Sequence, residues 1–137
     1  MWHFGFPAVE RNLNKRGLLH IEYGLLAVLN LESGKELSLG ELAARAGMSP
    51  SRLTNRLQPL IERKLIQKFI VETDRRSYLA RITPAGQRLL NEITPSHIKQ
   101  VRESFFAQLS DSEIETLGQI VRKIAGGLSD DVWWTSE

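Results

Sequence analysis

The chain is 137 residues long, which is enough for one domain with a buried core. It contains no cysteine, so a disulfide framework, a thiol redox switch and a Cys-based metal site are all excluded. The net charge of +2 hides an asymmetry: residues 45–81 hold nine Lys/Arg against three Asp/Glu, or +6, and the remainder holds nine against thirteen, or −4.

The opening residues combine Trp2, Phe4 and Phe6 with the breakers Gly5 and Pro7, and a short helix is expected from near Ala8 to Gly17. This stretch has no cationic segment followed by an apolar one, and no apolar run approaches the ~20 residues of a membrane span. Neither a secretory signal nor a membrane anchor is therefore expected, and a cytoplasmic location is. From His20 to Leu31 nearly every residue is apolar, with Ile21, Leu25, Val28 and Leu29 on one stripe, which predicts a buried helix ended by Glu32-Ser33-Gly34.

Ser38 and Glu41 form a capping box at the start of a short amphipathic helix with Leu39, Leu42, Ala43 and Ala46 on one face. Gly47-Met48 breaks it. Ser49 as N-cap and Pro50 at the first helical position then start a second helix, which directs Leu53, Leu57, Leu60 and Ile61 inward. Two helices joined by a Gly-containing turn of this length form a helix-turn-helix, whose second helix lies in the DNA major groove. Pro59 removes the bond to the Asn55 carbonyl, so a bend is expected there. Next comes a period-2 pattern, Phe69 and Val71 then Tyr78, Ala80 and Ile82, about a polar tip at Thr73-Asp74-Arg75-Arg76, which reads as a β-hairpin.

Thr83-Pro84 opens a further helix, expected to run to about Leu109 with a kink or break near Thr94 imposed by Pro95. A capping box of Ser110 and Glu113 opens the last helix, with Ile114, Leu117, Val121, Ile124 and Leu128 at helical spacing. Gly126-Gly127 frays its end, and an acidic tail with Trp133 and Trp134 follows. Together with Ile93, Ile98, Val101, Phe105 and Phe106, these helices carry more apolar surface than one small domain covers. A homodimer is the expected consequence, since a symmetric helix-turn-helix dimer meets two half-sites about one helical turn apart.

The residues needed for catalysis are missing. His3, His20 and His97 are far apart, with no His pair at helical spacing, and no nucleophile elbow, P-loop or dinucleotide fingerprint occurs. The expectation is no enzyme, no cofactor and no metal. The +6 segment instead coincides with the helix-turn-helix and hairpin, where positive charge serves phosphate.

The order of apolar helix, ELAARAGMSPSRLTNRLQPLIERKLI, wing TDRRSYLARITPAGQ and two further helices with LSDSEIETL resembles the MarR family of winged-helix transcriptional regulators. The likeness covers about Gly17 to Leu128. Its most specific part is Asp74-Arg75-Arg76 followed by Leu79, Ile82, Thr83 and Gly86. The Pro95 and His97 pair resembles a subset of that family. The implied fold is mainly α with a small β-hairpin wing: a winged helix-turn-helix plus a helical dimerisation region. The implied division of a single domain, residues 1–137, is a DNA-binding part at 20–83, a dimerisation part at 1–19 and 84–128, and a tail at 129–137. The implied function is a sequence-specific DNA-binding regulator, a homodimeric repressor of a pseudo-palindromic operator in double-stranded DNA, released by a small aromatic effector.

Carried over by position, the recognition helix is Pro50 to about Arg63 and offers Ser51, Arg52, Thr54, Asn55 and Arg56 to the groove, with Ser49 at its phosphate-binding start. Arg can grip guanine through O6 and N7, Asn can grip adenine, and a helix N-terminus suits phosphate. Arg76, oriented by Asp74, is the expected minor-groove residue, with Arg75 and Lys68 on phosphates. His20, Tyr23 and Leu26 are the expected effector contacts, although a His or Tyr on an apolar helix is more often a core residue. The chain departs from the family pattern at Lys64, where glycine is usual, at Pro59, and in a short first helix. The alternative is a winged-helix protein-interaction module that has lost DNA binding. The concentration of positive charge argues against it, because protein-binding surfaces lose charge at their centre.

Overall fold

The computed structural model describes residues 6–71 and 74–127, with side chains for all of these except 6–8 and 74–76. Helix α1 (Phe6–Asn14) buries Val9 and Leu13 and ends where Gly17 takes a left-handed conformation, φ +67°. The Leu18 amide then returns to the Leu13 carbonyl at 3.1 Å, closing the helix end. This helix starts earlier than expected. The Glu22 carboxylate accepts from the Leu19 amide at 2.9 Å and so starts α2 (His20–Leu31), which buries Leu25, Leu26 and Leu29 with the rest of its expected stripe half-buried.

A strand that the periodicity did not indicate comes next. β1 (Glu36–Ser38) pairs antiparallel with the far strand of the hairpin, Leu37 opposite Ala80, and Glu36 forms an ion pair with Arg81 across it. Three residues carry too little alternation to be read as a strand, and only the partner defines them. Ser38 ends β1 and also caps α3 (Leu39–Arg45), its hydroxyl accepting from the Glu41 amide while the Glu41 carboxylate accepts from the Ser38 amide. Gly47, φ +62°, turns the chain into α4 (Pro50–Glu62), which buries Leu53, Leu57 and Leu60 as expected.

Strands β2 (Ile66–Val71) and β3 (Asp74–Ile82) complete a three-stranded antiparallel sheet of order β1-β3-β2. Ala80 and Ile82 point inward, but Tyr78 is exposed. The backbone of Asp74 to Arg76 belongs to β3 rather than to a loop tip. Helix α5 (Pro84–Val101) starts from the Thr83 cap and packs close to the sheet: a Cβ on Gly86 would lie 2.3 Å from the Leu65 carbonyl oxygen.

The expected break at Pro95 does not occur, and α5 is unbroken to Val101. The acceptor that Pro95 leaves without a donor is the carbonyl of Asn91, a solvent-exposed residue. Nearby, the Thr94 and Ser96 hydroxyls donate to the Leu90 and Ile93 carbonyls at 2.7 and 2.9 Å. The irregularity comes later, as a π-helical turn at Arg102–Phe106, and the helix therefore ends before Leu109. The Ser110/Glu113 capping box opens α6 (Asp111–Gly126). Trp2, Phe4, Leu128, Trp133 and Trp134 lie outside the described residues. A single buried cluster runs from Leu13 and Leu18 through Leu26, Leu53 and Leu57 to Leu90 and Ile93. Helices α1 and α5, which flank residues 20–83, thus share one core with them.

Candidate nucleic-acid interface

The exposed face of α4 is built by subtraction. Leu53, Leu57 and Leu60 occupy one side and are at most 1% exposed. The other side is left with Ser51, Arg52, Thr54, Asn55 and Gln58 in solvent and Arg56 half-exposed. The Ser49 hydroxyl accepts from the Arg52 amide at 3.4 Å and lies 3.3 Å from the Ser51 hydroxyl. Thr54 donates to the Pro50 carbonyl at 3.1 Å. Among the described residues no carboxylate pairs with Arg52 or Arg56, so both guanidinium groups can take an outside anion.

Pro59 lies within α4 and the helix continues through it to Glu62. Both Pro59 and Asn55, whose carbonyl loses its donor, are exposed, so water can serve that group. Lys64 adopts φ +57°, the left-handed conformation that glycine takes without cost. Its amide and that of Leu65 return to the Ile61 and Leu60 carbonyls, both at 2.9 Å, so the helix end has the same closure that a glycine would give it. The Thr83 hydroxyl, 2.7 Å from the Lys64 carbonyl, ties that end to the start of α5.

The charge count over residues 45–81 includes arginines committed within the fold. Arg45 pairs with Glu32, and Arg81 pairs with Glu36 and lies 4.8 Å over the Phe69 ring. Arg63 donates to the carbonyls of Gly17 and Arg16 at 2.6 and 3.3 Å. Lys68 is exposed and stands 4.3 Å over the Tyr78 ring, its ammonium still open to solvent. The side chains of Asp74, Arg75 and Arg76 lie outside the described ones, while their backbone places them at the distal end of β3.

Of the three expected effector contacts, Leu26 is fully buried in the core. His20 and Tyr23 instead meet a residue of α5 that spacing could not associate with them. The His97 ring lies 4.3 Å from Tyr23 and 5.8 Å from His20, and the Tyr23 hydroxyl is 3.2 Å from that of Thr94. His97 is 8% exposed, and its Nδ1 has no hydrogen-bond partner among the described residues. Burial, followed by the charge of His20, holds its pKa below the ordinary value. Among the described residues no group of three or more His, Asp or Glu side chains could hold a metal ion, and no helix is long and apolar enough to cross a membrane.

A profile of the MarR family matches residues 16–77. The HTH-type transcriptional regulator MhqR of Bacillus subtilis (strain 168) is 25% identical over 116 residues, covering 85% of this chain and 78% of that protein. The uncharacterized HTH-type transcriptional regulator YdgG of the same organism is 34% identical over 94 residues, 65% of this chain but only 60% of the relative's own length. Among solved structures, a MarR family transcriptional regulator from Streptomyces coelicolor, in complex with DNA, superposes with a TM-score of 0.82 at 29% identity, over 91% of this chain and 79% of that one. With the helix-turn-helix, the paired wing strands and the two following helices in place, the profile, the relatives and the solved structures together support a MarR family winged-helix regulator.

Proposed function

We propose that this protein reads a pseudo-palindromic site in double-stranded DNA as a homodimeric repressor, and that a small aromatic effector releases it. The observation that carries the reading is the polar face of α4, where Arg52 and Arg56 have no carboxylate partner among the described residues while the opposite face is sealed in the core. In this reading Ser49 and the α4 N-terminus meet a phosphate, and Ser51, Arg52, Thr54, Asn55 and Arg56 meet base edges and the flanking backbone. Lys68 and Arg75 take phosphates beside the wing, and Arg76 enters the minor groove, oriented by Asp74. The Streptomyces coelicolor relative in complex with DNA supports the partner class.

Dimerisation is supported by the apolar face left open on the C-terminal helices. Ile98, Leu117, Ile120, Val121 and Ile124 are 40–59% exposed, and Ala125 is the one buried residue of α6. A row of large apolar side chains in water is a surface awaiting a partner, and a second copy satisfies it symmetrically. An effector is assigned to the junction of α2 and α5, where His20 and Tyr23 stand against His97 with Leu26 in the core behind them.

Selection of bound sequences from random duplex DNA tests the reading. The expected product is a two-fold symmetric motif with half-sites about one helical turn apart. No enrichment at low salt, from protein shown to be folded, would instead leave a winged helix that holds a protein partner.

A further inference from the structure

Arg63 ends the recognition helix and lies within the basic segment, so its position in the sequence suggests one more phosphate contact. Its guanidinium is already engaged. Nη1 donates to the Gly17 carbonyl at 2.6 Å and Nη2 to the Arg16 carbonyl at 3.3 Å, both across 46 or more residues of chain. These carbonyls stand just past the C-terminus of α1, where a helix presents negative charge and favours a cation. Gly17 holds the two acceptors in place through its left-handed backbone, and a Cβ there would come to 3.6 Å from Nη1. From that turn Arg16 continues to Glu92 of α5 at 3.2 Å, and beside it Asn12 of α1 donates to the Ser96 hydroxyl of α5 at 3.1 Å.

We propose that Arg63 is a positioning residue for DNA reading, which clamps the C-terminal end of α4 to the α1–α2 turn and through it to α5. This rests on the DNA-binding function proposed above. The α4 helix has 13 residues and is about 20 Å long, so the bases are read near one end and the tilt is fixed at the other. Thr83 holds the same end to the start of α5 through the Lys64 carbonyl. Arg63 adds a second tie, from that end to the turn that follows α1. The bidentate grip on two backbone carbonyls does most of this, because exposed ion pairs such as Arg16 with Glu92 contribute little.

The test compares wild type, Arg63→Ala and Arg63→Lys. Each variant is titrated with the duplex recovered by selection over a range of salt, and each is followed by amide hydrogen exchange without DNA. The clamp predicts an affinity loss of about fivefold in Arg63→Ala, with the salt dependence unchanged. Lysine, a point charge that cannot span both carbonyls, leaves most of that loss in place. It also predicts faster exchange of the Gly17 and Leu18 amides, which close the end of α1 onto Asn14 and Leu13. A salt slope shallower by about 0.9 per lost contact, restored by lysine, would make Arg63 a phosphate contact and overturn the proposal. So would unchanged affinity, or unchanged exchange at the turn. If wild type enriches no duplex, the DNA-binding proposal has failed, and the exchange measurement alone still decides the clamp.

Discussion

Lys64→Gly is expected to stabilise the protein, although it removes a side chain from the end of the recognition helix. Lys64 holds φ +57° so that the Leu65 amide can reach the Leu60 carbonyl and the chain can turn into β2. An L-residue in this conformation bears about 1–2 kcal/mol from its Cβ and the following carbonyl. Glycine removes that strain but makes the unfolded chain more flexible, which offsets about 0.4–1 kcal/mol. The balance is roughly 0.5–1 kcal/mol in favour of glycine. With about 2.1 cal/mol/K per residue, or roughly 0.29 kcal/mol/K for 137 residues, Tm should rise by about 2–3 °C. Calorimetry at fixed protomer concentration reads this directly, since the Tm of the proposed dimer would move with concentration. Lys64→Ala retains the strained Cβ and should give no rise. A lower Tm for the glycine variant, or equal gains from alanine and glycine, would refute the backbone argument. In that case the Lys64 side chain, not its φ, would govern this helix end.

Gly86→Ala should lower Tm by roughly 7–10 °C, from a cost of about 2–3 kcal/mol for forcing a Cβ against backbone. That Cβ would meet the Leu65 carbonyl oxygen at 2.3 Å and Ile82 Cγ1 at 2.8 Å, and a fall under about 1 °C would mean that α5 lifts freely from the sheet. Stability should also fall on mild acidification through His97. Its folded pKa lies below its ordinary 6.5, so the unfolded chain binds the proton first. The contribution is complete above that value and is lost as pH falls through it toward the folded pKa. His97→Gln should flatten urea-derived stability against pH in this window, and an unaltered slope would remove His97 as the cause. Arg52→Ala and Arg56→Ala should each weaken the selected duplex by about 1–3 kcal/mol and relax preference at the bases they read. Competition binding on single-base variants of the site checks both. Arg76→Ala should weaken binding to sites with A·T-rich flanks while leaving Tm unchanged, and equal affinity for A·T-rich and G·C-rich flanks in wild type would sink its minor-groove role.

Features whose energetics lie within four residues are legible in the linear sequence. The Ser38/Glu41 and Ser110/Glu113 boxes and the Ser49-Pro50 and Thr83-Pro84 starts all sit at helix N-termini. The period of Leu53, Leu57 and Leu60 assigned the core face of α4, and with it the exposed Arg52, Thr54 and Asn55. These arise from hydrogen bonds and burial patterns local to one helix, so composition at fixed spacing determines them.

What tertiary structure decided has partners far away in the chain. Glu36–Ser38 is a strand only because β3 is beside it, 41 or more residues later by register. Pro95 leaves α5 unbroken because the carbonyl it orphans belongs to an exposed residue and can turn to water. Arg45, Arg63 and Arg81 look like DNA-facing charge in a linear count, yet each is held by an acceptor 13 to 47 residues away. His97 joins His20 and Tyr23 for the same reason. Local spacing determined which residues this protein places on each helix face, whereas long-range packing decided which of those charges remain free to meet DNA. A side chain's availability depends on its neighbours in space, and those are set only when the core closes.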